Sequence, residues 1–207
     1  SAVLIVLAFV GIYIVRTVVS VAVQGVSDGS GMQHVKEWAA MFKNPMMWLN
    51  IAALPINYFF VFIAFFGEEY GWRYYLQPVL QKRFGLRAGV IILGIVWGLW
   101  HIPDDLFYYT QTSGIQMIFA QQITCISLGI FFAYAYMKTQ NIWVPVCLHY
   151  LNNNLIPIIS GTFSADVLEN QTVSWKDLPV ALVLNGYNLG FFLLADVFKK
   201  KEVQEEE

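Results

Sequence analysis

Positions 57–66 read NYFFVFIAFF and are followed at once by GEEYGWRYY. Two adjacent glutamates and an arginine therefore close one of the most apolar runs in the chain. Burying an unpaired ion is costly, so charges in such a place must be paired, used, or both. The rest of the chain has the composition of a membrane protein. Hydrophobic residues make up 57% and charged residues 13%, whereas a soluble domain carries about 25% charged residues. The net charge of −2 gives no footprint for nucleic acid, which is not expected as a partner; a lipid bilayer is. Cys125 and Cys147 lie in apolar runs without a CxxC pattern and read as small core hydrophobes.

A membrane-crossing helix needs about 20 mostly apolar residues. Six segments are candidates: 2–23, interrupted only by Arg16; one from about Met47 through the charged motif; 86–102; about 116–137; about 142–160; and 178–198. The expected fold class is all-α, a polytopic transmembrane helical bundle of about six membrane helices in a single integral-membrane domain over 1–207. Pro55 is expected to kink or break the second segment. Residues 32–42 read as a short amphipathic interfacial helix. Residues 3–23 are too long, and lack the cleavage pattern, for a signal peptide; the start at Ser1 reads as a fragment or a chain lacking a preceding segment. Lys82, Arg83 and Arg87, then Lys138, then Lys199, Lys200 and Lys201 fall on one side if every segment spans. The positive-inside rule makes that side cytoplasmic, together with the charged tail at 199–207, although Lys36 and Lys43 oppose it.

Spacing sorts the charges. Glu69 and Arg73 stand at i, i+4 with the acid first, the favourable order for a helical ion pair. Glu68 points about 100° away and is free to face another helix. It lies 17 residues before Gly85, and His101 lies 16 after it. A helical hairpin turning at Gly85 would set both at one level, roughly 24 Å from the turn. Trp97 and His101 share a helix face at i, i+4, as do His149 and Asn153. Ionisable residues inside membrane spans mark functional sites by default. Pro103, Asp104 and Asp105 are expected to end the His101 helix at an aqueous boundary.

The order EEYGWR, WGLWH and HYLNN, as E-E-x-x-x-R, aromatic-x-x-x-H and H-x-x-x-N, resembles the CPBP family of intramembrane endopeptidases. This family comprises the type II CAAX prenyl endopeptidases and the Abi bacteriocin-processing or self-immunity proteins. The resemblance implies a conical or cleft-like catalytic cavity and a catalytic core at about 48–160. It implies Glu68 as the base that activates water, His101 as the residue that holds and polarises that water, and His149 with Asn153 as an oxyanion-stabilising pair. Glu69, Arg73 and Trp97 would support them. Trp97 stands where the family more often has Phe.

The chemistry of these residue types agrees. Burial raises the basicity of a carboxylate, and an imidazole N–H and a carboxamide NH₂ can both donate to one oxyanion. A metal is the alternative: Glu68, His101 and His149 would supply a His₂Glu set for zinc, as the family's metalloprotease label suggests. The sequence requires no cofactor, and it lacks the HExxH spacing of common zinc proteases. The resemblance implies a peptide or prenylated-peptide substrate, in CAAX-type or bacteriocin-leader processing, at a bacterial plasma membrane. A non-catalytic immunity or peptide-binding protein is the competing reading. A proton-coupled transporter ranks behind it, because no repeat relates two halves.

Overall fold

The computed structural model describes residues 2–24, 29–161 and 164–199, and among these there is no β-strand. The expected tail lies outside the described residues except for Lys199. Helix α1 (Ala2–Gln24) is followed by the short α2 (Gly31–Met41). Trp38 of α2 donates its indole N–H to the Ile159 carbonyl, tying this helix to the far end of α8 (Trp143–Ser160). Helix α3 (Pro45–Glu69) starts with Pro45 in its first turn, where the missing N–H costs nothing. The Asn44 side chain caps it by accepting from Met46 N.

Of the expected kink or break at Pro55, the break does not occur: α3 continues through it. A neighbouring helix braces the same turn: Tyr150 of α8 donates its hydroxyl to the Leu54 carbonyl at 2.7 Å. After Glu69 the chain widens into a π-helical segment, Tyr70–Leu76, and then returns to α4 (Gln77–Phe84). Gly85, at φ +90°, makes the hairpin turn into α5 (Leu86–Trp100). That left-handed conformation suits glycine.

Helix α6 (Ile102–Phe107) follows α5 with only His101 between them, and α7 (Gly114–Thr139) returns along α5. Among the described residues, these two make the most extensive contact between helices. The reason is local: a Cβ on Gly94 would lie 2.6 Å from the Ile126 Cα, so only glycine lets the backbones come this close. Helix α8 crosses α7 and α3, then α9 (Ala165–Glu169) and α10 (Asp177–Gly190) complete the bundle. The core gathers Phe131, Phe132 and Leu148 with Phe9 of α1. The outer faces of α1 and α3 carry Leu4, Phe59, Phe60 and Ile63, all largely exposed. Apolar faces of that extent suit lipid, not water.

Among the described residues, four helical stretches are long and apolar enough to cross a membrane: Ala2–Val23, Pro45–Phe84, Leu86–Phe107 and Gly114–Thr139. The other two expected spans take a different form. Helix α8 is 18 residues long, and its polar positions His149 and Asn152–Asn154 reduce its hydropathy. Helix α10 has 14 residues and gives way to the 3₁₀ turns Phe192–Leu194 and Asp196–Phe198.

Candidate active site

The charged motif sits where α3 passes into the π segment and meets α5, α7 and α8. Glu69 and Arg73 are both fully buried. Arg73 donates from Nη1 to Glu69 Oε1 at 3.2 Å. Its Nε lies 3.2 Å from Oε2, a charge contact whose angle is not that of a hydrogen bond. The guanidinium lies 4.6 Å from the centre of the Trp97 ring and 5.1 Å from that of Phe132, so aromatic faces replace the solvent it has lost. The spacing-based ion pair is present.

His149 of α8 reaches the same carboxylate. Its Nδ1–H donates to Glu69 Oε1 at 2.8 Å. Phe65 and Trp97 close on the imidazole edge-to-face, with centroids at 5.2 and 5.4 Å. Held through Nδ1, the ring has only Nε2 left for another partner. Trp97 also accepts, through its backbone carbonyl, the Nδ1–H of His101 at 2.9 Å. One tryptophan thus contacts Arg73 and both intramembrane histidines.

Glu68 is half-buried, and its Oε2 is shielded from solvent with no hydrogen-bond partner. On the His101 side, Cys125 of α7 places its Sγ 3.8 Å from His101 Nδ1. Trp72 and Trp100 meet across the hairpin at 6.1 Å, close to the level expected for Glu68 and His101. Asn153 lies one turn beyond His149 and is exposed. Its Oδ1 accepts from Asn152 Nδ2 at 2.9 Å, which leaves its own NH₂ free to donate. Asn152 in turn accepts from the Tyr13 hydroxyl at 3.1 Å.

Two features escaped the sequence reading. Helix α5 does end at Trp100, just before Pro103, but Asp105 is not exposed: it lies within α6, its exposure is 0%, and neither carboxylate oxygen has a hydrogen-bond partner. The available signal was its position four residues after His101, the same spacing as the recognised pairs. Tyr13 had no such signal, because it lies in an unremarkable apolar helix. In the loop after α6, burial pushes the Tyr109 phenol up to about 12, with Asp104 and Asp105 adding to the effect, so it is neutral near pH 7.

Among the described residues, no three His, Cys, Asp or Glu side chains converge as a metal site. Glu68, His101 and His149 are not gathered as one in this conformation, although the Nδ1 bonds of both histidines, to the Trp97 carbonyl and to Glu69, leave each Nε2 open to another partner.

Fold and centre together define a polytopic helical membrane protein with a buried acid–arginine–histidine site. The chain belongs to the Rce1-like family of type II CAAX prenyl endopeptidases, whose family model matches residues 50–155. It is also similar to "CAAX prenyl protease 2" of Methanococcus maripaludis, with 28% identity over 125 residues, covering 56% of this chain. The match spans 45% of that protein's length, about half. No solved structure matches.

Proposed function

We propose that this protein is an intramembrane endopeptidase that hydrolyses a peptide bond of a membrane-associated or lipidated peptide, using water activated by Glu68. The observation behind this reading is the unequal treatment of two adjacent glutamates. Glu69 has Arg73 and His149 on its oxygens, whereas Glu68 keeps a buried oxygen without a partner. A carboxylate with a free lone pair in a low-dielectric site is equipped to take a proton from water.

His101 donates through Nδ1 to a carbonyl, so its neutral ring offers an Nε2 lone pair that can accept the second O–H of that water. The water oxygen adds to the peptide carbonyl carbon as its proton passes to Glu68. The carbonyl oxygen takes the negative charge. Collapse of this intermediate breaks the C–N bond, and the proton on Glu68 passes to the departing amine. The Asn153 NH₂ and His149, when protonated at Nε2, donate to the oxyanion. Arg73 serves as counter-ion to Glu69. Zinc would supply Lewis-acid activation of water if the Glu68–His101–His149 set rearranged to hold it. The basic residues of α4 and the start of α5 support a cytoplasmic position for that hairpin.

The test is cleavage of prenylated and unprenylated peptides by purified protein in nanodiscs, with and without chelator. Glu68→Gln is expected to lose about 100-fold or more in turnover while keeping the wild-type thermal midpoint. Undiminished turnover by this variant would remove Glu68 from the mechanism. Inhibition by chelator that zinc reverses would move water activation to a metal.

A further inference from the structure

Past Arg73 the polar face of this helix continues toward the Gly85 turn. Glu69, Arg73, Gln77 and Gln81 stand four residues apart along α3, the π segment and α4, and that spacing keeps them on one face. Glu69 and Arg73 are 0% exposed and Gln77 is 1% exposed. Gln81 is half-buried. Glutamine is mostly found at surfaces, so a buried Gln77 needs a reason. The hydrolytic mechanism uses Glu69 and Arg73 and neither glutamine.

Hydrogen bonding fixes which way the two amides face. Gln81 donates from Nε2 to the Leu86 carbonyl at 3.1 Å, at the start of α5, and the same NH₂ lies 3.2 Å from Met137 Sδ. A carbonyl only accepts, so Gln81 keeps its NH₂ there and offers Oε1 to Gln77. The packing of α5 holds this side chain's backbone in place, since a Cβ on Gly89 would lie 2.6 Å from Gln81 N. Gln77 donates from Nε2 to Gln81 Oε1 at 3.4 Å. Its own Oε1 is therefore turned away from Gln81, and it is buried without a hydrogen-bond partner. The next polar residue on that side of the face is Arg73, whose Nη2 is also buried without a partner. One atom is an acceptor and the other a charged donor, and leaving both unmade is costly.

We propose that Gln77 is a positioning residue for the centre, its Oε1 accepting from Arg73 Nη2 across one bridging water. Such a water-mediated bond is nearly as good as a direct one. With Nη2 held from α4, Arg73 turns Nη1 and Nε to Glu69, and Glu69 Oε1 receives the His149 Nδ1–H. The column thus runs from the Gly85 turn to the imidazole assigned to the oxyanion. Its effect on turnover rests on the endopeptidase reading above; the hydrogen bonds themselves do not.

The column is read at its far end, through the His149 Nδ1–H resonance of full-length, ¹⁵N-histidine-labelled protein in nanodiscs. Gln77→Met keeps the length of the side chain and removes both polar ends. It is expected to move this resonance upfield, toward a weaker hydrogen bond, and to lower kcat about tenfold with KM within about twofold. Gln77→Asn, one methylene shorter, should move the resonance the same way by less, and it decides the matter if Gln77→Met does not fold. Gln81→Glu keeps an acceptor facing Gln77 Nε2 and should leave the resonance and kcat near wild type. A resonance unmoved by the Gln77 changes overturns the proposal even if kcat and the thermal midpoint fall, because Gln77 would then be a packing residue only. A shift in Gln81→Glu as large as in Gln77→Met overturns it too, since the amide orientation would be wrong. If the resonance moves as expected but wild-type protein cleaves none of the peptides, the endopeptidase reading fails and the column stands.

Discussion

Arg73 is fully buried. Its charge is met by one carboxylate and two aromatic faces, and its Nη2 is buried without a hydrogen-bond partner. Lysine would keep the charge but not the planar fork or the flat stacking surface. Arg73→Lys should therefore cost about 1–3 kcal/mol and lower the thermal midpoint in detergent. It should also reduce turnover, because Glu69 would no longer be held square to His149. An unchanged midpoint would show that charge alone matters here. The local half of this arrangement was legible: Glu69 and Arg73 share a helix, and i, i+4 spacing states their contact. The other half was not. His149 reaches Glu69 across 80 positions of sequence, and which carboxylate it would find depended on how α8 packs. Asp105 was misread for a similar reason, since an Asp pair after a proline usually signals water, and only the packing of α6 on α7 buries it.

The π segment is the element that aims these side chains. In an α-helix, position i+4 lies about 40° past a full turn. A π-helix bonds i to i+5, as Gln77 N–H does to the Trp72 carbonyl, so i+4 falls more nearly overhead. The outer face records this: Tyr70 and Tyr74 stack at 4.8 Å with 16° between their planes. Nothing in the apolar pattern distinguished π from α over these seven residues, because both place a similar stripe inward. The widening matters because Glu69 ends α3 while Arg73 lies within the wider turn. Deleting Gly71, an exposed residue whose position has open space around it, should pull the segment back toward α geometry. Glu69 and Arg73 would become i, i+3, and everything before the deletion would rotate about 100° relative to α4. Circular dichroism should show helix content retained, with peptide hydrolysis lost and the thermal midpoint lowered. Wild-type turnover in this deletion would mean that the π geometry is incidental.

Across the whole molecule, an apolar residue is equally at home in the core and in lipid, and this sets what sequence can reveal. Phe9 and Phe59 both sit in expected spans, yet Phe9 is 2% exposed and Phe59 is 72% exposed. Phe9 packs on Phe131 and Phe132 at 5.5 and 6.1 Å, and Phe132 in turn lies beside Arg73 and His149. Helix α1 falls outside the family-matched residues, so its share in supporting the centre had to come from packing. Removing either ring changes little in transfer energy, because lipid replaces protein as an apolar surround. What differs is the void. Phe9→Ala leaves a cavity lined by fixed side chains, and the cost should approach, without reaching, the ~3–5 kcal/mol of the same change in a soluble core. Phe59→Ala leaves a space that acyl chains fill. In nanodiscs the first variant should show a clearly lower thermal midpoint and reduced turnover, and the second should match wild type in both. If Phe59→Ala destabilised as much as Phe9→Ala, that face of α3 would be covered by protein, and the lipid-facing surface inferred from its exposed rings would have to be redrawn.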